Sequence, residues 1–244
     1  MLNAAEITAE LIEGPGFAVV ADLLPPARVR DARDLILALA EQDRLTGKLI
    51  TQQGRWRLRL TGRGEIFAEL ATHDLIRQVA QNMLGEGFVR GGLSAHALTK
   101  DAPPQGVHVD YPYSVMREPF PEPPMQLQAI WVLNDFTADN GATRILAHSQ
   151  KTRRRPDKQE FYKSSTPILC PAGSLILSHG GLWHDSSTNR TEETRIAILG
   201  NYTPFWVRSV EGLPDAATGL DFRTALMKAV AWKREDKDGP KPPY

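Results

Sequence analysis

From Gly85 to Thr203 the sequence breaks into short apolar runs separated by glycine, proline and asparagine, a pattern that suits strands and leaves little room for helices. Candidate strands cover residues 88–98, 126–133, 143–146, 174–178 and 195–203, with turn-forming residues between them. The chain upstream reads differently. Residues 5–12 form a short amphipathic helix that stops at Gly14-Pro15-Gly16, and Phe17-Ala18-Val19-Val20 is a short strand. Pro25-Pro26 opens a second helix, expected through Ala40, with Val29, Ala32, Leu35, Ile36 and Leu39 at near-helical spacing. Residues 49–60 are extended, 65–71 and 74–84 are short helices, and a last helix over 221–233 precedes a charged, proline-rich tail, 234–244.

Helices first and many short strands afterwards predict an α+β, mainly β chain. Its core is expected to be a double-stranded β-helix, the jelly-roll or cupin-like arrangement, with flanking N-terminal and C-terminal helices. No internal repeat and no linker interrupt the 244 residues, so one domain is expected: a helical region over about 1–85, a jelly-roll core over about 86–205, and a C-terminal helix and tail over 206–244.

Composition narrows the function. Twenty-nine Lys and Arg balance 29 Asp and Glu, which removes the basic footprint of a nucleic-acid binder. The single Cys170 excludes an internal disulfide framework and a cysteine-based zinc cluster, and suits a reducing cytoplasm. No apolar run approaches the ~18 residues of a membrane span, and the N-terminus has no signal-peptide pattern. A cytoplasmic protein without nucleic-acid or membrane partners, as a monomer or homodimer, is the expectation.

The segment that carries chemistry is Gln105-Gly106-Val107-His108-Val109-Asp110. On an extended chain His108 and Asp110 point the same way and can hold one metal ion together. A third ligand is available in His179-Gly180-Gly181-Leu182-Trp183-His184, from either histidine. Two imidazoles and one carboxylate on one face of a metal, with open positions opposite, is the non-heme Fe(II) oxygenase pattern. Arg195 starts an apolar strand eleven residues after His184, and its planar guanidinium could hold the distal carboxylate of a diacid.

These stretches, together with Trp131-Val132-Leu133-Asn134-Asp135-Phe136, Asn140-Gly141-Ala142-Thr143-Arg144 and Asn189-Arg190, resemble the phytanoyl-CoA dioxygenase family of Fe(II)/2-oxoglutarate-dependent oxygenases. The resemblance spans about residues 105–203 and departs from the family at Ala147-His148-Ser149-Gln150, where relatives carry Pro-Gly-Ser-His. It implies His108, Asp110 and His184 as iron ligands and Arg195 as the partner of the C5 carboxylate of 2-oxoglutarate. It further implies Ser186 as a helper of that arginine, Gln105 and Thr143 as co-substrate contacts, and Trp131 as a wall beside 2-oxoglutarate. The implied reaction consumes O2 and 2-oxoglutarate, releases succinate and CO2, and oxidises a small-molecule C–H bond. Asp110 fills the position that related halogenases leave to a small residue, which points to hydroxylation. Desaturation, cyclisation and epimerisation are alternatives, as is a non-redox cupin-like metal- and ligand-binding protein.

Other residues admit two readings. His179 competes with His184, and the spacing to Ser186 and Arg195 favours His184. His96 suits a satisfied core histidine, and His73 a helix-start residue at the surface. Arg55, Arg57 and Arg59 share one face of a strand, where they meet either an anionic substrate or solvent and salt-bridge partners. The basic run Lys151, Arg153, Arg154, Arg155 and Lys158 suits an exposed loop better than a phosphate contact. Residues 111–124, with Tyr111, Tyr113, Met116 and Phe120, form either a substrate lid or a packed loop.

Overall fold

The computed structural model describes residues 2–208. Helix α1 (Ala4–Ile12) starts at Asn3, whose side chain accepts from the Ala5 and Glu6 amides while Glu6 reaches back to the Asn3 amide. Strand β1 (Phe17–Val20) and helix α2 (Pro26–Leu45) follow, the helix opening on a proline that needs no amide partner there. Next come β2 (Ile50–Gln52), β3 (Arg55–Arg59), α3 (Glu65–Ala71), α4 (Asp74–Leu84) and β4 (Phe88–Leu98). The remainder holds β5 (Leu127–Val132), β6 (Thr143–Ile145), α5 (Lys158–Ser164), β7 (Thr166–Pro167), β8 (Leu175–His179), β9 (His184–Ser186) and β10 (Arg195–Pro204).

The strands form two antiparallel sheets: a seven-stranded one in the order β1-β8-β5-β10-β4-β3-β2, and a three-stranded one in the order β7-β6-β9. This is the expected mainly β, jelly-roll arrangement with helices at its N-terminal side. The elements through β10 form one compact unit that ends at Val207. The expected C-terminal helix, 221–233, lies outside the described residues. Among those described, no helix is long and apolar enough to cross a membrane.

Strand alternation gives the large sheet two different faces. Ala95, Ala97, Ile196, Ile198, Ala129, Trp131, Leu175 and Leu177 face the helices, where they join Ile7, Leu11, Ile36, Phe67, Ile76 and Val79 in the main core. The other face turns toward the small sheet, and Ile130, Val132, Ile176 and Ala197 meet Phe136, Ala142, Ile145, Ile168 and Leu182 there. A third cluster, Val109, Tyr113, Phe120, Met125, Phe161 and Trp183, anchors the loop between β4 and β5.

Trp131 corrects the sequence expectation. It pairs with Ile198 and Leu175 on the helix-facing side, it is 1% exposed, and its indole N–H donates to the Leu70 carbonyl at 3.1 Å. It is a core residue and lines no site between the sheets. Helix α2 runs five residues past Ala40, because Glu41–Arg44 and Asp43–Arg63 ion pairs support a stretch with no apolar rhythm. Helix α5 escaped the sequence reading because its seven residues bury only Phe161.

Gly173 ties the start of α2 to the large sheet. Its carbonyl accepts from the Leu23 and Leu24 amides, its amide donates to the Val132 carbonyl, and its φ is +88°. A Cβ here would overlap the Leu24 carbonyl oxygen. Gly173→Ala is therefore expected to lower unfolding stability by about 2 kcal/mol or more. Urea denaturation checks it, and an unchanged midpoint would contradict this account of the turn.

Candidate metal and co-substrate site

His108 and His184 face each other as an isolated antiparallel pair. Their backbones exchange two hydrogen bonds, His108 N to His184 O at 3.0 Å and His184 N to His108 O at 3.1 Å. Residues paired this way project to the same side, and the ring centroids lie 4.3 Å apart. Asp110, two residues on, shares that side, held by its amide donating to Gly180 O at 2.9 Å. One donor atom from each of His108, Asp110 and His184 falls within 4.8 Å of the other two, and His184 Nε2 lies 3.6 Å from Asp110 Oδ1.

Both rings are oriented by their other nitrogen. His108 Nδ1–H donates to Gly106 O at 2.8 Å and His184 Nδ1–H to Leu182 O at 2.9 Å, which leaves each Nε2 lone pair free. Gly106, at φ +100°, supplies the left-handed turn that aims its carbonyl at the ring. Burial, and then the neighbouring His184, lower the His108 pKa, so the ring stays neutral. Gln126, wholly buried, donates from Nε2 to Asp110 Oδ2 at 3.4 Å and to Gln128 Oε1 at 2.9 Å.

Arg195 lies between the sheets at the start of β10 and is 4% exposed. One Nη donates to Gly141 O at 2.6 Å, the guanidinium sits 4.6 Å above the Phe136 ring, and Nε has no partner. Among the described residues no carboxylate lies within ion-pair distance. Burial, and then the charge of Arg55, push its pKa down to about 9. Two imidazoles and a carboxylate suit a divalent first-row metal, and a sealed guanidinium with an orphaned N–H suits a carboxylate.

The phytanoyl-CoA dioxygenase (PhyH) family profile matches residues 12–197. The chain belongs to the phytanoyl-CoA dioxygenase family. The uncharacterized protein Rv1501 of Mycobacterium tuberculosis H37Rv is 23% identical to it, over 89% of this chain and 83% of that protein. The dioxygenase trt7 of Aspergillus terreus is 29% identical, over 61% of this chain and 54% of its own length. Among solved structures, the epimerase SnoN in complex with Fe3+, α-ketoglutarate and nogalamycin RO shares the fold with a TM-score of 0.67 at 18% identity, covering 89% of this chain and 92% of that one. HygX from Streptomyces hygroscopicus, with nickel and 2-oxoglutarate bound, does so with a TM-score of 0.65 at 15% identity, covering 83% and 88%. This member of the phytanoyl-CoA dioxygenase family is an Fe(II)/2-oxoglutarate-dependent dioxygenase.

The other residues singled out in this family member fall into place unevenly. Thr143 and Ser186 are paired across β6 and β9, on the small sheet. Ser186 does not bond Arg195; its Oγ accepts from Arg55 at 2.8 Å instead. Gln105 is exposed, and its Oε1 faces Arg57 at 3.5 Å. His179 points away from the triad, accepting the Gly181 amide at 2.9 Å on Nδ1 and packing on Tyr113. His73 caps α4 but is half-buried against Trp131. His148 braces the N-terminal turn, donating from Nδ1 to Gly14 O at 3.0 Å. The basic run is largely paired: Arg153 with Glu122, Arg154 with Glu160, Arg155 with Glu118. In the 111–124 segment Tyr113 and Phe120 are fully buried, which makes it a packed loop around those two residues.

Asp185 was not found from the sequence. It is 1% exposed; Oδ1 accepts the amides of Gln105, Gly106 and Ser186, and Oδ2 accepts the Tyr162 hydroxyl. It fixes the turn that delivers His108. The only sequence signal is a charged residue adjoining His184 in an otherwise apolar stretch.

His96 sits on the site-facing side of β4, its Nε2 at 2.9 Å from Ser94 Oγ. Burial, and then Arg57, Arg195, Arg55 and His108, push its pKa down to about 3; burial alone takes His179 to about 4. Each folded-state pKa lies below the unfolded value of 6.5, so below that pH the unfolded chain binds more protons. Stability is expected to be full above pH 6.5 and to fall as pH drops toward 4. Each histidine adds a slope of up to about 1.4 kcal/mol per pH unit. Urea titrations at several pH values should show a shallower dependence in His96→Gln; an identical slope would contradict the buried neutral histidine.

Proposed function

We propose that this dioxygenase hydroxylates an unactivated C–H bond of a small-molecule substrate, with release of succinate and CO2. His108, Asp110 and His184 would hold Fe(II) through the two Nε2 atoms and an Asp110 oxygen, and Arg195 would hold the C5 carboxylate of 2-oxoglutarate. The observation that carries this reading is the sealed Arg195 guanidinium, which has an unpartnered N–H and, among the described residues, no carboxylate within ion-pair distance.

When bound, the iron and 2-oxoglutarate supply the oxidising power, using O2. The chain's part is to orient and enclose. Gly106 and Leu182 carbonyls fix both rings so that Nε2 is the atom turned to the metal. Gln126 steadies the Asp110 carboxylate. Arg195 sets the direction of the keto-diacid through a paired hydrogen-bond geometry that a lysine would not reproduce. Ile130, Val132, Ile145, Ile176 and Leu182 fill the apolar part of the space between the sheets and exclude water from it.

Asp110→Ala is expected to cut substrate-dependent succinate release at least ~100-fold, because one of three metal ligands is lost. Arg195→Ala is expected to raise the 2-oxoglutarate concentration for half-maximal turnover at least about tenfold, by removing a charge-assisted contact. Succinate release unchanged in both variants would contradict the assignment. Product mass then decides the outcome: a gain of one oxygen supports hydroxylation, whereas loss of two hydrogens or an unchanged mass identifies desaturation, cyclisation or epimerisation.

A further inference from the structure

Among the described residues eight arginines each take a carboxylate partner: Arg28–Glu69, Arg33–Glu193, Arg44–Glu41, Arg63–Asp43, Arg77–Asp74, Arg153–Glu122, Arg154–Glu160 and Arg155–Glu118. With equal numbers of acidic and basic residues, that pairing is unremarkable. Among the same residues, the three arginines of strand β3 have no such ion pair and share one face of one strand. Arg55, Arg57 and Arg59 alternate with Trp56 and Leu58, and Leu58 is 1% exposed and packed with Trp56 in the helix-facing core. The packing of that pair commits the three arginines to the opposite face, the one that looks toward the small sheet.

Their register places them in rows. Arg55 and Arg195 both pair with Leu98, Arg57 and Ala197 with His96, and Arg59 and Leu199 with Ser94. The arginines therefore step away from Arg195 along the wall of the same cleft, successive members about 7 Å apart. Arg55 is used by the protein: it donates to the Pro103 carbonyl and to Ser186 Oγ, and it feels the charge of Asp185. Arg57 has one long contact, 3.5 Å to Gln105 Oε1, three residues before His108. The Arg59 side chain is exposed and has no ion pair among the described residues. Both are exposed, so they stand at the mouth of the cleft.

A divalent ion and dianionic 2-oxoglutarate would cancel, and Asp110 and Asp185 are matched in number by Arg195 and Arg55. Among the described residues neither Arg57 nor Arg59 has a carboxylate in ion-pair contact, so this wall carries two further positive charges. We propose that Arg57 and Arg59 bind an oxyanion, a carboxylate or phosphate, carried by the primary substrate, and so select acidic small molecules. This rests on the assignment of Arg195 to 2-oxoglutarate, since it requires the two anions to bind at once. A guanidinium pair spaced along a strand grips such a group with directed, charge-assisted hydrogen bonds and steers it to the cleft.

The test is a calorimetric titration of inorganic sulfate at low ionic strength into the protein loaded with Ni(II) and 2-oxoglutarate. One sulfate per chain is expected, bound at least about tenfold more weakly by the Arg57→Gln/Arg59→Gln double variant. The Arg57→Lys/Arg59→Lys variant should recover most of that affinity, and all three proteins should bind 2-oxoglutarate equally. Absence of sulfate binding, equal binding by the glutamine variant, or displacement of sulfate by 2-oxoglutarate would overturn the proposal. Failure of the wild-type protein to bind 2-oxoglutarate would instead overturn the reading of Arg195, so the two failures are distinct.

Discussion

The feature that most constrains the site is a guanidinium shut away from water with no counter-charge among the described residues. Removing a cation from solvent costs several kcal/mol even after the surroundings relax. Arg195 recovers part of that through one carbonyl and one aromatic face, and burial still lowers its pKa to about 9. A fold that served stability alone would have placed an aliphatic side chain at the start of β10, as it does at Ile196 and Ile198. On the proposed reading the charge is half of an ion pair whose other half is the distal carboxylate of the co-substrate.

The two faces of the seven-stranded sheet let one chain meet opposite demands. Its helix-facing side is apolar throughout, and that side supplies the hydrophobic stabilisation. The face toward the small sheet can then carry Arg55, Arg57, Ser94, His96, Gln128 and Arg195, which would be intolerable in a core that had to stabilise the fold by itself. The small sheet contributes little area, but β9 brings His184 opposite His108. That single backbone-paired contact brings two distant stretches of sequence together as one pair of candidate ligands.

Much of this was legible in the chain itself. Strand β4, helices α3 and α4, and the helix-then-strand order follow from apolar periodicity and turn residues, and the sequence reading of His108, Asp110 and His184 identifies three residues whose donor atoms come together in the fold. What escaped had no local signature. Trp131 lies in a strand buried on both faces, where alternation of polarity cannot reveal direction; only its register with Ile198 shows that it faces the helices. Ser186 bonds Arg55 and not Arg195, because β3 and β9 meet through the fold across more than a hundred residues. Asp185 and Gln126 act by holding other residues in place, and a role of that kind has no spacing to read.

The measurement that bears most directly on the unpaired guanidinium compares two ligands of the Ni(II)-loaded protein: 2-oxoglutarate and 2-oxopentanoate, which keeps the metal-chelating keto acid and lacks the distal carboxylate. If Arg195 awaits that carboxylate, 2-oxoglutarate binds at least about 100-fold more tightly, and Arg195→Ala abolishes most of the difference. Equal affinity for the two keto acids in the wild-type protein would contradict the account.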